Sequence, residues 1–177
     1  AFLQLPAVMP PAVAGVALLI AFGRRGWLST NVFGDAWSLS LSTTAVVLAQ
    51  TFVAAPFFLQ AAIAAFRRID SGLLLVARSL GAHPLTVFAH IAVPIAAPGL
   101  IAGGLMCWAR ALGEFGATLM FAGNLEGTTQ TLPLAIYAAL EGDWTAARAL
   151  SLLLVGLAFS LLLLIKALQP RWEPEAT

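Results

Sequence analysis

From Ala36 to Phe66 the chain carries no charged residue. A bilayer core is crossed by about 20 predominantly apolar residues in a helix. Inside lipid the backbone polar groups must bond within the segment. This one run therefore reads as a transmembrane helix, long enough to tilt or to extend past the bilayer, with Pro56 placed to kink it. The rest of the composition agrees. The sequence is 60% hydrophobic and only 10% charged, where soluble domains carry about 25% charge. A net charge of +1 with no dense Lys/Arg run gives no means of neutralising nucleic-acid phosphates. The single cysteine, Cys107, allows no disulfide within the chain, and no Cys/His metal spacing occurs. Cys107 sits in an apolar span and reads as a small apolar residue.

Further spans lie on either side of that run. Ala1 to Phe22 is free of charge, but Pro6, Pro10 and Pro11 interrupt it. It reads as a helix from about Pro11 to Phe22 preceded by a broken segment. Gly23 to Trp37 is a loop in which Trp27 and Trp37 fit interfacial anchors. Ile91 to Phe121 forms a third span, with Gly99, Gly103 and Gly104 allowing close backbone approach to another helix. A polar loop follows, then a short amphipathic piece from Pro133 to Leu140, then a last span from about Trp144 to Leu168. The expected fold is thus all-α, a polytopic membrane bundle of about four spans. Residues 1–168 are expected to form one domain, and 169–177 a polar tail that is disordered or surface-lying. The chain starts at Ala1 without a basic region or a small-residue cleavage site, so it does not read as a signal peptide. A truncated start, with an upstream helix missing, is the expectation.

Between the second and third spans lies FRRIDSGLLLVARSLGAHPLTVFAHIAVPIAAP, Phe66 to Pro98. It holds Arg67, Arg68, Asp70 and Arg78, in a chain with few charges. Gly81 suits the left-handed residue that ends a helix, and Pro84 suits the first turn of the next. The stretch reads as helix, sharp bend, helix, and then the start of a new span at Pro94. The arginines mark it as cytoplasmic. The same rule puts the Gly23–Trp37 loop and the Ala122–Asp143 segment outside, and Lys166 and Arg171 inside; Arg24 and Arg25 run against it.

Few residues are candidates for chemistry. Arg110 and Glu114 are four apart and share a helix face. Charges within a span usually face the bundle interior or a water-filled cavity. The pair reads as a pathway-lining element with Arg110 able to attract an anion, or as an ion pair that fixes helix rotation and closes the pore, and the two readings are not exclusive. His83 and His90 read as interfacial histidines, not as metal ligands. Gly123, Asn124, Thr129 and Gln130 belong to a polar loop at the external mouth. By composition this is an ordinary solvated turn; functionally it is a contact for a delivery protein or a substrate. No nucleophile elbow, HExxH, P-loop or GxGxxG motif is present. With no ATP-binding motif, any pumping must draw its energy from a partner, which makes the hinge the main clue.

That hinge resembles the EAA loop of permease subunits of ATP-binding-cassette importers. The family pattern reads Glu-Ala-Ala, three residues, Gly, nine residues, Ile, one residue, Leu-Pro. Here Gly81 is followed by nine residues and then Ile91, Ala92, Val93 and Pro94, and Ala77 holds the last alanine place. The glutamate place holds Leu75 and the first alanine place Val76, so this face is greasier than the pattern. Within the family, ARALGEFGATLMFAGN (Ala109–Asn124) and TQTLPLAIYAAL (Thr129–Leu140) are similar to molybdate permeases; sulfate permeases are close relatives.

The resemblance implies a multi-pass subunit of the cytoplasmic (inner) membrane with the type I importer fold. It implies a homodimer in membrane lipid around a central pathway, five or six helices in a complete subunit, cytoplasmic ATP-binding-cassette ATPase subunits docked on the 71–94 loop, and an extracytoplasmic molybdate-binding protein. The coupling residues would be Leu75, Ala77, Gly81, Ile91 and Pro94. The pathway or gate would involve Arg110, Glu114, Gly123, Asn124, Thr129 and Gln130. No cofactor, metal, nucleic acid or covalent catalysis is implied. The function expected is ATP-driven import of molybdate, with tungstate as a co-substrate. Sulfate, thiosulfate or another oxyanion is the alternative cargo. An ATPase-independent carrier or channel, or a non-functional fragment, is the alternative of another class.

Overall fold

The computed structural model describes residues 5–33 and 38–168. The described residues are helical with no strand. In chain order the α-helices are α1 (Leu5–Val8), α2 (Pro11–Phe22), α3 (Thr43–Arg67), α4 (Ser71–Ser79), α5 (Pro84–Val87), α6 (Val93–Leu112), α7 (Gly116–Ala122), α8 (Leu132–Ala139) and α9 (Trp144–Leu168). Two wide π-helical turns, Ser29–Phe33 and Phe88–Ala92, add to them. The tail 169–177, Trp37 and Arg171 lie outside the described residues.

Among the described residues three helices are long and apolar enough to cross a membrane, where about four spans are expected: Thr43–Arg67, Pro84–Leu112 and Trp144–Ala167. The first apolar stretch is divided as expected, with a helix Pro11–Phe22 preceded by the short separate piece Leu5–Val8. Pro10 has no N–H to continue a helix and Pro11 opens one, so α2 has only 12 residues. At 1.5 Å per residue that is roughly 18 Å, short of a bilayer core of about 30 Å. Together α1 and α2 still follow α3 along its length. Ala7 and Val8 of α1 face Gln60, Ile63, Ala64 and Arg67 across an open cavity of about 510 Å³. At the other end, the Leu39 N–H donates to the Phe22 carbonyl just before α3 begins.

The third span also differs from its expected bounds. It begins at Pro84 rather than Ile91 and leaves its helix at Leu112, with the separate α7 continuing to Ala122. Pro94 lies inside the continuous helix and starts nothing. Its ring would crowd the His90 carbonyl in a regular α-helix. The wide turn Phe88–Ala92 immediately before it, where the Val93 N–H reaches the Phe88 carbonyl, relieves that crowding.

Small residues set the packing. A Cβ added at Gly103 would stand 2.5 Å from the Ala61 Cβ, and one at Gly99 2.7 Å from the Ala65 Cβ. Gly99 and Gly103 thus meet Ala61 and Ala65 with reversed order, so α3 and α6 cross antiparallel with backbones nearly touching. In lipid, helix association draws on such van der Waals contact. Gly104 faces open space. On the other side of α3, α7 lies against α2. A Cβ at Gly15 would meet the Ala117 carbonyl at 2.6 Å, and Gly116 sits against Ala12. Ala14, Leu18, Ala45, Val46, Ala49, Val53, Ala117, Phe121 and Ala122 close the buried core between α2, α3 and α7.

Candidate functional site

The two candidate regions lie at opposite ends of α3, whose 25 residues span about 37 Å. At its start, the Thr43 hydroxyl donates to the Thr128 carbonyl of the 123–131 loop at 3.1 Å. At its end, Phe66 stacks on Phe88, with ring centroids 5.9 Å apart, beside the hinge.

The hinge is built as its residues dictate. The Asp70 carboxylate accepts the Gly72 N–H at 2.8 Å and starts α4. Gly81 adopts φ +86° and ends the turn. The His83 Nδ1 accepts the Leu85 N–H, capping α5, whose first residue is Pro84. No residue of α4 is buried. Leu73, Leu75, Val76, Leu80 and Leu85 are all exposed, Leu75 at 62% and Leu80 at 84%. Arg67, Arg68 and Arg78 are exposed around them. Of the other expected coupling residues, Ala77 and Ile91 are half-buried and Pro94 is exposed on α6. The hinge thus presents exposed apolar side chains rimmed by arginines at one end of α3. His90 is also exposed, and its Nδ1, when protonated, donates to the Thr86 carbonyl at 3.3 Å. Among the described residues no group of three or more His, Cys, Asp or Glu side chains could hold a metal ion.

Arg110 and Glu114 do meet, with Arg110 Nη1 3.0 Å from Glu114 Oε2. They do not share one helix, as the four-residue spacing suggests. The helix ends at Leu112, Gly113 caps it, and Glu114 stands in the break before α7. Glu114 is 1% exposed and Arg110 31%. The second carboxylate oxygen, Oε1, accepts the Ala117 N–H at 2.9 Å. One buried carboxylate therefore joins the last turn of α6 to the first turn of α7. It also occupies a helix start, where negative charge is favoured. Phe115, also in the break, packs edge-on against Tyr137 of α8, with centroids 5.4 Å apart.

The 123–131 loop is more tightly built than a plain solvated turn. Gly123 and Gly127 have φ of +72° and +74°. The Leu125 carbonyl accepts N–H groups from Thr128, Thr129 and Gln130, and the buried Thr129 hydroxyl accepts the Leu125 N–H at 2.9 Å. Gly123 and Gln130 are half-buried, and Asn124 reaches the Leu134 carbonyl at 3.5 Å. Thr129 is thus occupied in holding the loop, while Asn124 makes one long bond and leaves its Oδ1 without a partner. Arg110 and Glu114 lie at the break and are not among the loop's contacts.

Sequence reasoning missed the break, the second contact of Glu114, and, among the described residues, three buried polar atoms without a partner: Thr118 Oγ1, Asn124 Oδ1 and Thr131 Oγ1. The signal for the break was present, since Gly113 and Gly116 flank Glu114 and Phe115.

The family model described as "Binding-protein-dependent transport system inner membrane component" matches residues 1–174. The molybdenum transport system permease protein ModB of Mycobacterium tuberculosis is 46% identical over 94% of this chain and 63% of its own length. The protein of the same name in Escherichia coli K12 is 35% identical over 92% of this chain and 72% of its own length. The chain thus spans less than two thirds of the mycobacterial relative it matches. Among solved structures, a chain of the MetNI methionine ABC transporter in an inward-facing conformation superposes with a TM-score of 0.66 at 20% identity, covering 94% of this chain and 72% of that chain. That likeness shows the fold. With three helices long and apolar enough to cross a membrane among the described residues and this family match, the chain is a multi-pass membrane protein, and it belongs to the family of binding-protein-dependent transport system inner membrane components.

Proposed function

We propose that this chain is the permease part of an ATP-driven importer carrying molybdate, with tungstate as a second cargo, across the cytoplasmic membrane. The observation that carries the reading is the 46% identity to a molybdenum permease over 94% of the chain. The knob of α4 and α5 supports a docking role. It is apolar, exposed and held at one end of α3 by the Phe66–Phe88 stack. In this reading it faces the cytoplasm and fits a cleft on an ATPase subunit. Leu75 and Val76 make the contact apolar, and Arg67, Arg68 and Arg78 favour an acidic rim on the partner. Closure of two such ATPases would move the hinge, and α6, continuous with it through Phe88–Ala92, carries the motion to the break at Gly113–Phe115. An extracytoplasmic binding protein delivers the oxyanion at the end that bears the 123–131 loop. A pair of these permeases forms the pathway between them.

A dianion needs a path free of net negative charge. Glu114 is neutralised by Arg110, so the break need not repel the cargo. Backbone donors near Gly123–Thr131 supply weak contacts, and weak contacts suit a route that must release the ion. The chain itself makes and breaks no covalent bond. The test is co-purification of the full-length permease with its ATPase, followed by reconstitution. Uptake of molybdate that needs both subunits, ATP and the binding protein is expected. Transport by the permease alone, without an associated ATPase, would overturn the reading.

A further inference from the structure

One cavity lies apart from both regions. About 380 Å³ in volume, it opens between the end of α8 and the start of α9 and is lined by Leu140, Trp144, Ala147, Arg148, Ser151 and Leu152. The polar turn Glu141-Gly142-Asp143 precedes it, and a strongly apolar helix follows. The boundary between water and lipid along α9 therefore falls at about Trp144, which is 64% exposed, as interfacial tryptophans are.

Arg148 is one turn inside that boundary. It is exposed on the outside of the bundle, not turned toward the interior as charges within spans usually are. Among the described residues it has no carboxylate partner and donates no hydrogen bond. The nearest acid in sequence, Asp143, is engaged in capping α9, accepting the N–H groups of Thr145 and Ala146. Glu141 is exposed at the mouth. Arg148 lines the cavity together with Trp144, one turn before it; since side chains on a helix lean toward its N-terminus, a guanidinium at this position can reach the Trp144 level with its stem along the apolar wall. The Ser151 hydroxyl is committed to the Ala147 carbonyl at 2.7 Å, leaving the lower cavity apolar in character.

We propose that this cavity binds a membrane phospholipid, its phosphodiester paired with Arg148 beside Trp144 and an acyl chain lying along Ala147 and Leu152. Charge complementarity selects the occupant. A planar guanidinium with five unsatisfied donors at the headgroup level matches a phosphate, and the wall beneath it matches hydrocarbon. The inference is independent of the cargo and of the ATPase.

The test uses full-length permease, delipidated in detergent, with native mass spectrometry and thermal unfolding as readouts. The probes are phosphatidylglycerol, diacylglycerol and inorganic phosphate. The expected result is one phosphatidylglycerol retained and a raised melting temperature, with neither diacylglycerol nor inorganic phosphate producing them. Arg148→Gln should weaken retention roughly tenfold or more, the loss of one charge-assisted contact, and Arg148→Lys should restore part of it. Equal retention by wild type and Arg148→Gln would overturn the proposal, as would diacylglycerol binding as well as phosphatidylglycerol. Efficient disulfide formation between two copies of a Ser151→Cys variant in native membranes would also overturn it, because the cavity would then be filled by a second copy.

Discussion

Arg110 and Glu114 face each other across the end of a helix, 3.0 Å apart, and the Glu114 carboxylate holds the next helix with its other oxygen at Ala117. The pair is thus a fastener between α6, continuous with the hinge, and α7, packed on α2 and α3.

Removing one side of this fastener exposes what the other contributes. Arg110→Ala leaves a buried carboxylate without its counter-ion, a change that costs about 3–5 kcal/mol in fully buried pairs. Arg110 is 31% exposed, so the loss should fall at the low end of that range. Glu114→Gln keeps an oxygen for the Ala117 N–H and should be milder. Thermal unfolding in detergent and transport in vesicles check both. Normal assembly and transport by Arg110→Ala would remove the pair from any role.

The α3–α6 crossing makes a sharp contrast between neighbouring glycines. Gly103→Val should force the helices apart, because even a Cβ there would lie 2.5 Å from Ala61. Overpacking of this kind costs about 1–3 kcal/mol. Gly104→Ala meets nothing within 4 Å and should leave the melting temperature unchanged or slightly raised. Equal effects of the two substitutions would contradict the packing described.

At the hinge, Gly81 has φ +86° and open space around it. Gly81→Val therefore acts through the backbone alone, with about 1–2 kcal/mol of left-handed strain. Transport-coupled ATPase activity should fall, and Gly81→Asn should retain more of it. Unchanged transport by Gly81→Val would take the hinge out of the mechanism.

Leu75 is 62% exposed, so Leu75→Glu should not disturb folding. It restores the family's residue at that place and should preserve or strengthen ATPase coupling. Binding of the ATPase to detergent-solubilised permease, compared for the two forms, checks this. Loss of binding would mean that the partner's cleft is matched to the apolar residue.

Much of this architecture is legible in the residues. Trp144 and Leu168 bound α9 as expected, and Gly81 and Pro84 take the turn and helix-start positions their chemistry favours. The breaks within apolar runs were harder to see. Gly113 to Gly116 sits among apolar residues, and the spacing of Arg110 and Glu114 suits an unbroken helix as well as a broken one. Pro94 marks a helix start in most contexts; here a wide turn absorbs it, which only the neighbouring backbone reveals. The loop residues Thr129 and Asn124 look solvated by composition. Their structural role depends on Leu125 and Leu134, contacts set by how the loop closes.

The most direct test of the central claim is ATP-dependent uptake of radiolabelled molybdate by proteoliposomes holding the full-length permease, its ATPase and the binding protein, with sulfate in large excess. The account predicts uptake that needs ATP and survives the sulfate. Complete competition by sulfate, or uptake indifferent to ATP, would contradict it.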